Sequence, residues 1–343
     1  MKIGMVMAIR NHPDFAYPLQ EVYRDYIDDA VYVESEMGFD NIWVNEHHLS
    51  RDQYAPSVFP VLAAIAARTT RARLGTAVCL LPFHNPLRVS EDAATIDIIS
   101  GGRFDLGVGV GSATREYETF GTPREQAWKR TWEATDLIRR SWEESSFDFD
   151  GEFYSYKELS QSTKPVQERV PIWWGGFGPQ SVARAARRGF NLIGCASSVY
   201  EDTLEEIGRA PSESQVGQVT GIHIAPTRDQ AWDEAQHGIH WWMRFHREAT
   251  GAPAGMTPDG PLMPELPPAE KLRDVEGLTF LPGMPSYVGT PDDVLENLLA
   301  DCAGRHGRIT QLALAFRHAG MRTSEVRNSM KLFSTEVLPH LPR

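Results

Sequence analysis

Glu46-His47-His48 places one carboxylate and two imidazoles in consecutive positions, a set able to ligate a metal, cap backbone amides or move a proton near neutral pH. A paired-ligand metal site on a strand wants His-x-His, because adjacent residues point to opposite faces. The run here is His-His, and no second acidic or His pair in the sequence completes a ligand set, so no metal site is expected. Two readings stay open: a packed or capping role, and a direct role for at least one ring in a pocket. The second concentration of chemistry is glycine. Gly107-Val108-Gly109-Val110-Gly111-Ser112 and Trp174-Gly175-Gly176-Phe177-Gly178-Pro179-Gln180-Ser181 each continue a short apolar run. The latter leads into a helical pattern through Ala183, Ala186 and Arg187, a layout that presents backbone N–H groups and a helix N-terminus to an anion. Gly176-x-Gly178-x-x-Ser181 approaches a dinucleotide fingerprint. It lacks the third glycine and the acidic residue that should end the next strand, where Gly194-Cys195-Ala196-Ser197 stands, so a mononucleotide phosphate fits better. A glycine turn that only lets helix and strand pack closely is the alternative. Arg115, Glu116 and Glu118 read equally as pocket residues or a solvated loop, and Trp241, Trp242, Phe245 and His246 as core aromatics or as a substrate wall.

Eight short apolar or β-branched runs alternate with helical segments and can position these groups: Ile3 to Met7, Asn41 to Val44, Leu74 to Val78, Phe104 to Val108, Pro171 to Trp174, Asn191 to Gly194, Val219 to Ile224 and Gln311 to Ala315. Alternation of this kind is the pattern of parallel βαβ units, and eight such units close an α/β barrel of the (β/α)₈ type. Helix signals agree: Val22, Tyr26, Ala30, Val33 and Met37 recur at three and four with Gly38 as a left-handed stop, and Asn85-Pro86 and Thr290-Pro291 read as N-cap and first helical residue. The last helix, from Ser324, carries Val326, Met330, Phe333 and Val337 on one face. Insertions follow strands four and seven: a hairpin at 145–170, turning at Asp150-Gly151, and a Pro-, Gly- and Met-rich segment at 251–286 that reads as an active-site lid. In such barrels chemistry sits where strands end, which favours Glu46-His47-His48 and Gly107 to Ser112 and leaves Gly101-Gly102-Arg103, just before strand four, to structure.

The chain has 343 residues, 41% of them hydrophobic, and reads as a single barrel domain over 1–343. A net charge of −12 argues against nucleic acid or an anionic membrane surface as a partner. Cys79, Cys195 and Cys302 are widely spaced, which fits a reducing compartment, and the N-terminal apolar run is too short for a signal peptide or a membrane span. A cytoplasmic protein is expected.

Taken in order, the EHH run, GTAVCLLPFHNPLRVSED, SGGRFDLGVGVGSATREYETFG, DFDGEFY, PIWWGGFGPQS and YVGTPDDV make the chain resemble the bacterial luciferase-like flavin-dependent monooxygenases nearly end to end. The resemblance implies reduced FMN as cosubstrate across the barrel mouth, its ring near the backbone of Ala77 and Val78, a peptide bond often cis in that family. The cofactor-binding set would be completed by Gly109, Val110, Gly111 and Ser112 and by Gly175, Gly176, Phe177 and Gly178, with the phosphate on the last three amides. His47 would be the catalytic histidine and Glu46 its orienting partner. The implied activity is oxygenation of a small organic substrate, such as an aldehyde or ketone, with O₂ and with reduced FMN from a separate flavin reductase, by a homodimer. Hydride transfer with the deazaflavin coenzyme and a non-catalytic flavin-binding module are the alternatives. Where luciferase itself has a reactive cysteine and a phosphate-binding arginine, this chain has Gly109 and Val110, and where luciferase has Glu-Ser it has Phe177-Gly178, so light emission is not implied. Substrate choice would rest on side chains around Phe83, Trp174, Trp241 and the 251–285 segment.

Overall fold

The computed structural model describes residues 1–250, 256–257, 260–261, 266–275, 279–281, 283–305 and 307–342. Eight parallel strands form its centre: β1 (Lys2–Met7), β2 (Asn41–Val44), β3 (Arg73–Thr76), β4 (Phe104–Gly109), β5 (Ile172–Trp174), β6 (Asn191–Gly194), β7 (Val216–Ile224) and β8 (Gln311–Ala315). Each pairs with the next, and β8 pairs with both β7 and β1, so the sheet closes. Closure removes the exposed edges that an open sheet would present. The alternating βα pattern of the sequence is thus a (β/α)₈ barrel, with the expected strand positions met to within a few residues.

Strand alternation sorts the side chains into two layers. Val6, Trp43, Trp173, Ile193, Val219 and Ala313 form one buried cluster inside the barrel. Their strand neighbours Met5, Ile42, Trp174, Leu192 and Leu312 join the larger core between barrel and helices. Trp43 and Trp173 meet edge to face at 5.0 Å across the interior. Small residues make room for them: a Cβ on Gly75 would lie 2.3 Å from the Trp43 ring.

The helices begin and end where local chemistry requires. In α1 (Leu19–Ser35) Val22, Tyr26, Ala30 and Val33 are buried, and Gly38 beyond it has φ +68°. In α3 (Pro86–Ser100) the Asn85 side chain accepts from the amides of Leu87 and Arg88. At Pro291–Cys302 Thr290 and Asp293 form a reciprocal capping box. Gly101 and Gly102 hold positive φ after α3, and Arg103 donates to the carbonyls of Ser100, Ala72 and Thr69 at 2.7, 2.6 and 2.8 Å. That run ties the loops below the barrel together, as expected of a structural element.

The connection after β4 holds the helices Thr114–Phe120 and Ala127–Glu143, and the expected insertion at 145–170 is an antiparallel hairpin, Phe147–Asp150 with Ser155–Leu159. Its turn is wider than the Asp150-Gly151 pair suggested, running from Gly151 to Tyr154, and the Glu133 carboxylate accepts from the amides of Glu152, Phe153 and Tyr154. Beyond β7 the long helix Arg228–Thr250 follows. Of the expected lid at 251–286, the stretches 251–255, 258–259, 262–265, 276–278 and 282 lie outside the described residues. Its end does not: Met284–Gly289 is a strand that pairs in parallel with Gly221–Ile224 of β7, just past the point where β6 stops. Sequence reading missed it because Pro285 and Gly283 mask a short strand. No helix among the described residues is long and apolar enough to cross a membrane.

Candidate active site

Glu46, His47 and His48 leave the C-terminal end of β2, and alternation separates their side chains. Glu46 and His48 share one face: Glu46 Oε1 accepts from His48 Nε2 at 2.8 Å and from His84 Nε2 at 2.7 Å. His47 points to the other side, where its Nδ1 lies 3.2 Å from Glu116 Oε1; the same oxygen accepts from the His48 amide at 2.7 Å. The expectation that Glu46 orients His47 is therefore corrected, since neighbours on an extended segment cannot reach each other's rings, and Glu116 takes that place. Glu116 thereby belongs to the pocket and not to a solvated loop. An ionised carboxylate can only accept, so the proton of this bond sits on Nδ1 and leaves Nε2 with its lone pair. No hydrogen bond reaches Nε2 among the described residues.

Aromatic rings fix His47 from two sides, with centroids 4.9 Å away at Tyr54 and 5.0 Å at Phe245. Behind them the guanidinium of Arg10 lies 4.7 Å from the Tyr54 ring and 4.8 Å from that of Phe245. Asp52 accepts from Arg10 Nε at 2.6 Å and from Trp241 Nε1 at 2.8 Å, joining the loop after β2 to the helix Arg228–Thr250. Burial alone would raise the Asp52 pKa, yet the Arg10 charge holds it below the ordinary carboxylate value. His246, 5.9 Å from His47 ring to ring, is driven well below the ordinary imidazole range chiefly by burial, with the Arg10 guanidinium and the nearby His47 ring adding to it, so it stays neutral. Arg10, Asp52 and Tyr54 carried no motif in the sequence. They are found only because the fold brings the end of β1 beside the loop after β2.

On the other face, burial opposes ionisation of Glu46, but the bonds from His48 and His84 prevail and its pKa is lowered. Burial likewise opposes the charged form of His84, and the Glu46 carboxylate outweighs it and raises the pKa. The three groups offer ligand atoms within 4.8 Å of one another, a set the sequence did not suggest because His84 lies 38 residues beyond Glu46. In the structure both rings meet Oε1, and the buried Oε2 of Glu46 has no hydrogen-bond partner among the described residues.

Residues expected at a flavin ring are gathered at the barrel mouth. The Ala77–Val78 peptide is cis. The Val78 side chain fills space that only glycines leave: a Cβ would meet it at 2.5 Å from Gly109 and 2.4 Å from Gly175. Gly111 holds φ +79° beside Leu80 and Phe83. Along the exits of β4 and β5, the amides of Gly111, Ser112, Gly176, Phe177 and Gly178 donate no hydrogen bond among the described residues. Unpaired amides converging at the N-terminus of α6 (Pro179–Arg187) suit a phosphoryl group, so the residues present fit a flavin mononucleotide. One expectation does not hold. Trp174 faces the helix layer, stacked on Trp132 at 4.2 Å, and it is Trp173 that faces the barrel, because alternate strand residues point oppositely. Phe83 packs at the mouth against Phe120 and Tyr117, near His48, and Trp241 lines a cavity of about 500 Å³ with His48, Arg51, Arg115, Glu116 and Phe245.

A family model described as luciferase-like monooxygenase matches residues 1–305. The chain belongs to the luciferase-like monooxygenase family. Within this family it is 33% identical over 159 residues to the oxygenase component of the flavin-dependent trigonelline monooxygenase of Acinetobacter baylyi, covering 45% of this chain and 44% of that protein. It is also 33% identical over 236 residues to an F420-dependent glucose-6-phosphate dehydrogenase of Kineococcus radiotolerans, covering 63% and 67%. The chain spans about half the length of the first curated relatives it matches. Among solved structures, monooxygenase RslO1 from Streptomyces bottropensis superimposes with a TM-score of 0.84 at 23% identity over 99% of both chains, a likeness of fold.

Proposed function

We propose that this luciferase-like protein is the oxygenase component of a two-component monooxygenase, taking reduced FMN from a separate flavin reductase and using O₂ to oxygenate a small organic substrate. The observation that carries the proposal is the convergence of His47, held by Glu116, with the glycine-flanked Val78 segment and the unpaired amides of the β4 and β5 exits on one rim of the barrel. When bound, the reduced flavin supplies the electrons that activate oxygen. The protein supplies the rest. Gly176, Phe177 and Gly178 would hold the phosphate, with Gly111 and Ser112 beside them, and Ala77, Val78, Gly109, Val110 and Gly175 would bound the ring. His47 Nε2 would accept or return a proton, with Glu116 holding the ring's tautomer and its orientation. Tyr54, Phe245 and neutral His246 pack around the His47 ring and would limit the water that reaches it. Glu46 would act as a positioning residue through His48 and His84. A homodimer is part of the proposal.

The second reading, hydride transfer with the deazaflavin coenzyme, is favoured by the likeness to the F420-dependent dehydrogenase. The His47→Asn variant tests catalysis: it should retain flavin and lose about 10²- to 10⁴-fold of turnover, the usual contribution of a positioned acid–base group. Unchanged turnover would remove His47 from the chemistry, and flavin binding without turnover in the wild type would leave a flavin-binding module. Anaerobic titration with reduced FMN and with reduced deazaflavin separates the two cofactors.

A further inference from the structure

Glu46 and His48 stand two residues apart at the exit of β2, so the alternation that sends His47 the other way brings their side chains to one face. His84, just before the N-cap of α3, reaches the same carboxylate from a different loop, and the ligand atoms of all three residues lie within 4.8 Å of one another. Hydrogen bonding alone leaves this set unfinished. Both Nε2 atoms crowd Oε1, at 2.8 and 2.7 Å, while Oε2 of a carboxylate that is 2% exposed has no hydrogen-bond partner among the described residues. A buried oxygen in that state keeps its desolvation cost uncompensated. Neither ring's Nδ1 makes a hydrogen bond among the described residues, so each is free to carry the ring proton and leave Nε2 with its lone pair. A path inward exists too: the His84 side chain is 26% exposed and that of His48 10%, and His48 lines the cavity of about 500 Å³ beside Trp241. Cys79 is buried beside the carboxylate, and burial first and then the Glu46 charge raise its thiol, which keeps its proton and is a weak donor at best.

We infer that Glu46, His48 and His84 form a binding site for a first-row divalent transition-metal ion of the zinc class. Two imidazoles and one carboxylate favour such ions over Mg²⁺ and Ca²⁺, which seek oxygen ligands. Binding replaces the two N–H bonds that now point at Oε1. A neutral ring moves its proton to Nδ1, and a ring that is imidazolium releases one proton to solvent. Bonds of about 2.0–2.2 Å to a tetrahedral ion set the ligand atoms about 3.4 Å apart, so each ring has to withdraw from Oε1 by roughly 0.6 Å. Both rings sit on loop segments with exposed edges, where a shift of that size needs no rearrangement of the barrel. Three protein ligands leave a fourth position for water. The ion would staple the loop after β2 to the segment that leads into α3. This inference is independent of the proposed cofactor and reaction.

The test is equilibrium titration of the full chain, first stripped of metal, with Zn²⁺ alone in competition with a chromophoric chelator, and with Co²⁺ followed by its visible absorption. Wild type, His84→Ala, Glu46→Gln and His237→Ala are compared, the last because His237 and His240 stand three residues apart on the helix Arg228–Thr250 and form a rival pair. The wild type should bind one Zn²⁺ per chain with a Kd at or below about 10 μM and show the Co²⁺ bands of a four- or five-coordinate ion. His84→Ala and Glu46→Gln should each weaken binding about 100-fold or more and lose those bands, while His237→Ala changes neither. Saturating Zn²⁺ should raise the melting temperature of the wild type and leave that of His84→Ala unchanged. Should Glu46→Gln fail to fold, His84→Ala, at a partly exposed ring, decides the matter. No stoichiometric binding below about 100 μM would overturn the inference and leave a carboxylate shared by two imidazoles. Binding that survives His84→Ala, that disappears with His237→Ala, or that excess Mg²⁺ displaces would overturn it as well.

Discussion

Replacing Glu116 by Gln removes one charge and almost no volume. Glu116 is 1% exposed, and its Oε1 serves two donors, the His48 amide at 2.7 Å and His47 Nδ1 at 3.2 Å. The amide oxygen can still accept from the His48 backbone, so the loop after β2 keeps its anchor. Hydrogen bonds to charged groups contribute about 1.5–3 kcal/mol and neutral ones about 0.5–1.5, so the exchange weakens the hold on His47 by about 1–1.5 kcal/mol, or roughly tenfold in rate. If the amide instead turns its N–H toward His47, the ring loses its orientation, and a misplacement of about 1 Å raises the loss to roughly 100-fold. Glu116→Gln should therefore lower kcat about 10- to 100-fold with flavin affinity unchanged. Stability should hold or rise, because Oε2 of the buried carboxylate has no partner and its desolvation cost disappears with the charge. Steady-state product formation, flavin titration and a thermal melt on one preparation measure all three. A variant with full kcat beside an inactive His47→Asn would refute the orienting role, and a loss of turnover that tracks lost flavin would refute the geometry.

Stability should depend on pH through the Glu46–His84 pair. The Glu46 value is lowered from 4.5, so its contribution is present above about 4.5 and is lost as pH falls through the lower folded value; that of His84 is raised from 6.5, so its contribution is complete below about 6.5 and is lost as pH rises through the higher one. The contribution is thus largest between about 4.5 and 6.5, and in Glu46→Gln the melting temperature should drop most in that window and vary less steeply on either side of it; parallel curves would count against the coupling. Asp52→Asn leaves the buried Arg10 charge without its counterion and should cost about 3–5 kcal/mol in urea unfolding, whereas a loss under about 1 kcal/mol would mean that the surrounding rings alone satisfy Arg10.

The barrel was legible because closure of a parallel sheet needs repeated short apolar runs, and each lies in the sequence as a local pattern. Caps at Asn85 and Thr290 and the stop at Gly38 are local too. The position of His47 followed from the same logic, since a residue after β2 must stand at the catalytic rim. Its partners did not. Glu116 is 69 residues from His47 and His84 is 38 from Glu46, and only the fold sets which carboxylate meets which ring. Adjacency misled in the same way at Trp173 and Trp174, where one residue of register decides between the barrel interior and the helix layer.

The most direct test of the monooxygenase proposal is a single turnover with isotope-labelled O₂, admitted to anaerobic protein loaded with reduced FMN and a panel of aldehydes, ketones and small aromatic compounds, with products read by mass spectrometry. The proposal predicts one labelled oxygen atom in a product formed by the wild type and strongly reduced in His47→Asn at equal flavin loading. Oxygen consumption with no labelled product across the panel, or failure to bind reduced FMN while the reduced deazaflavin binds and passes hydride to a substrate, would contradict it.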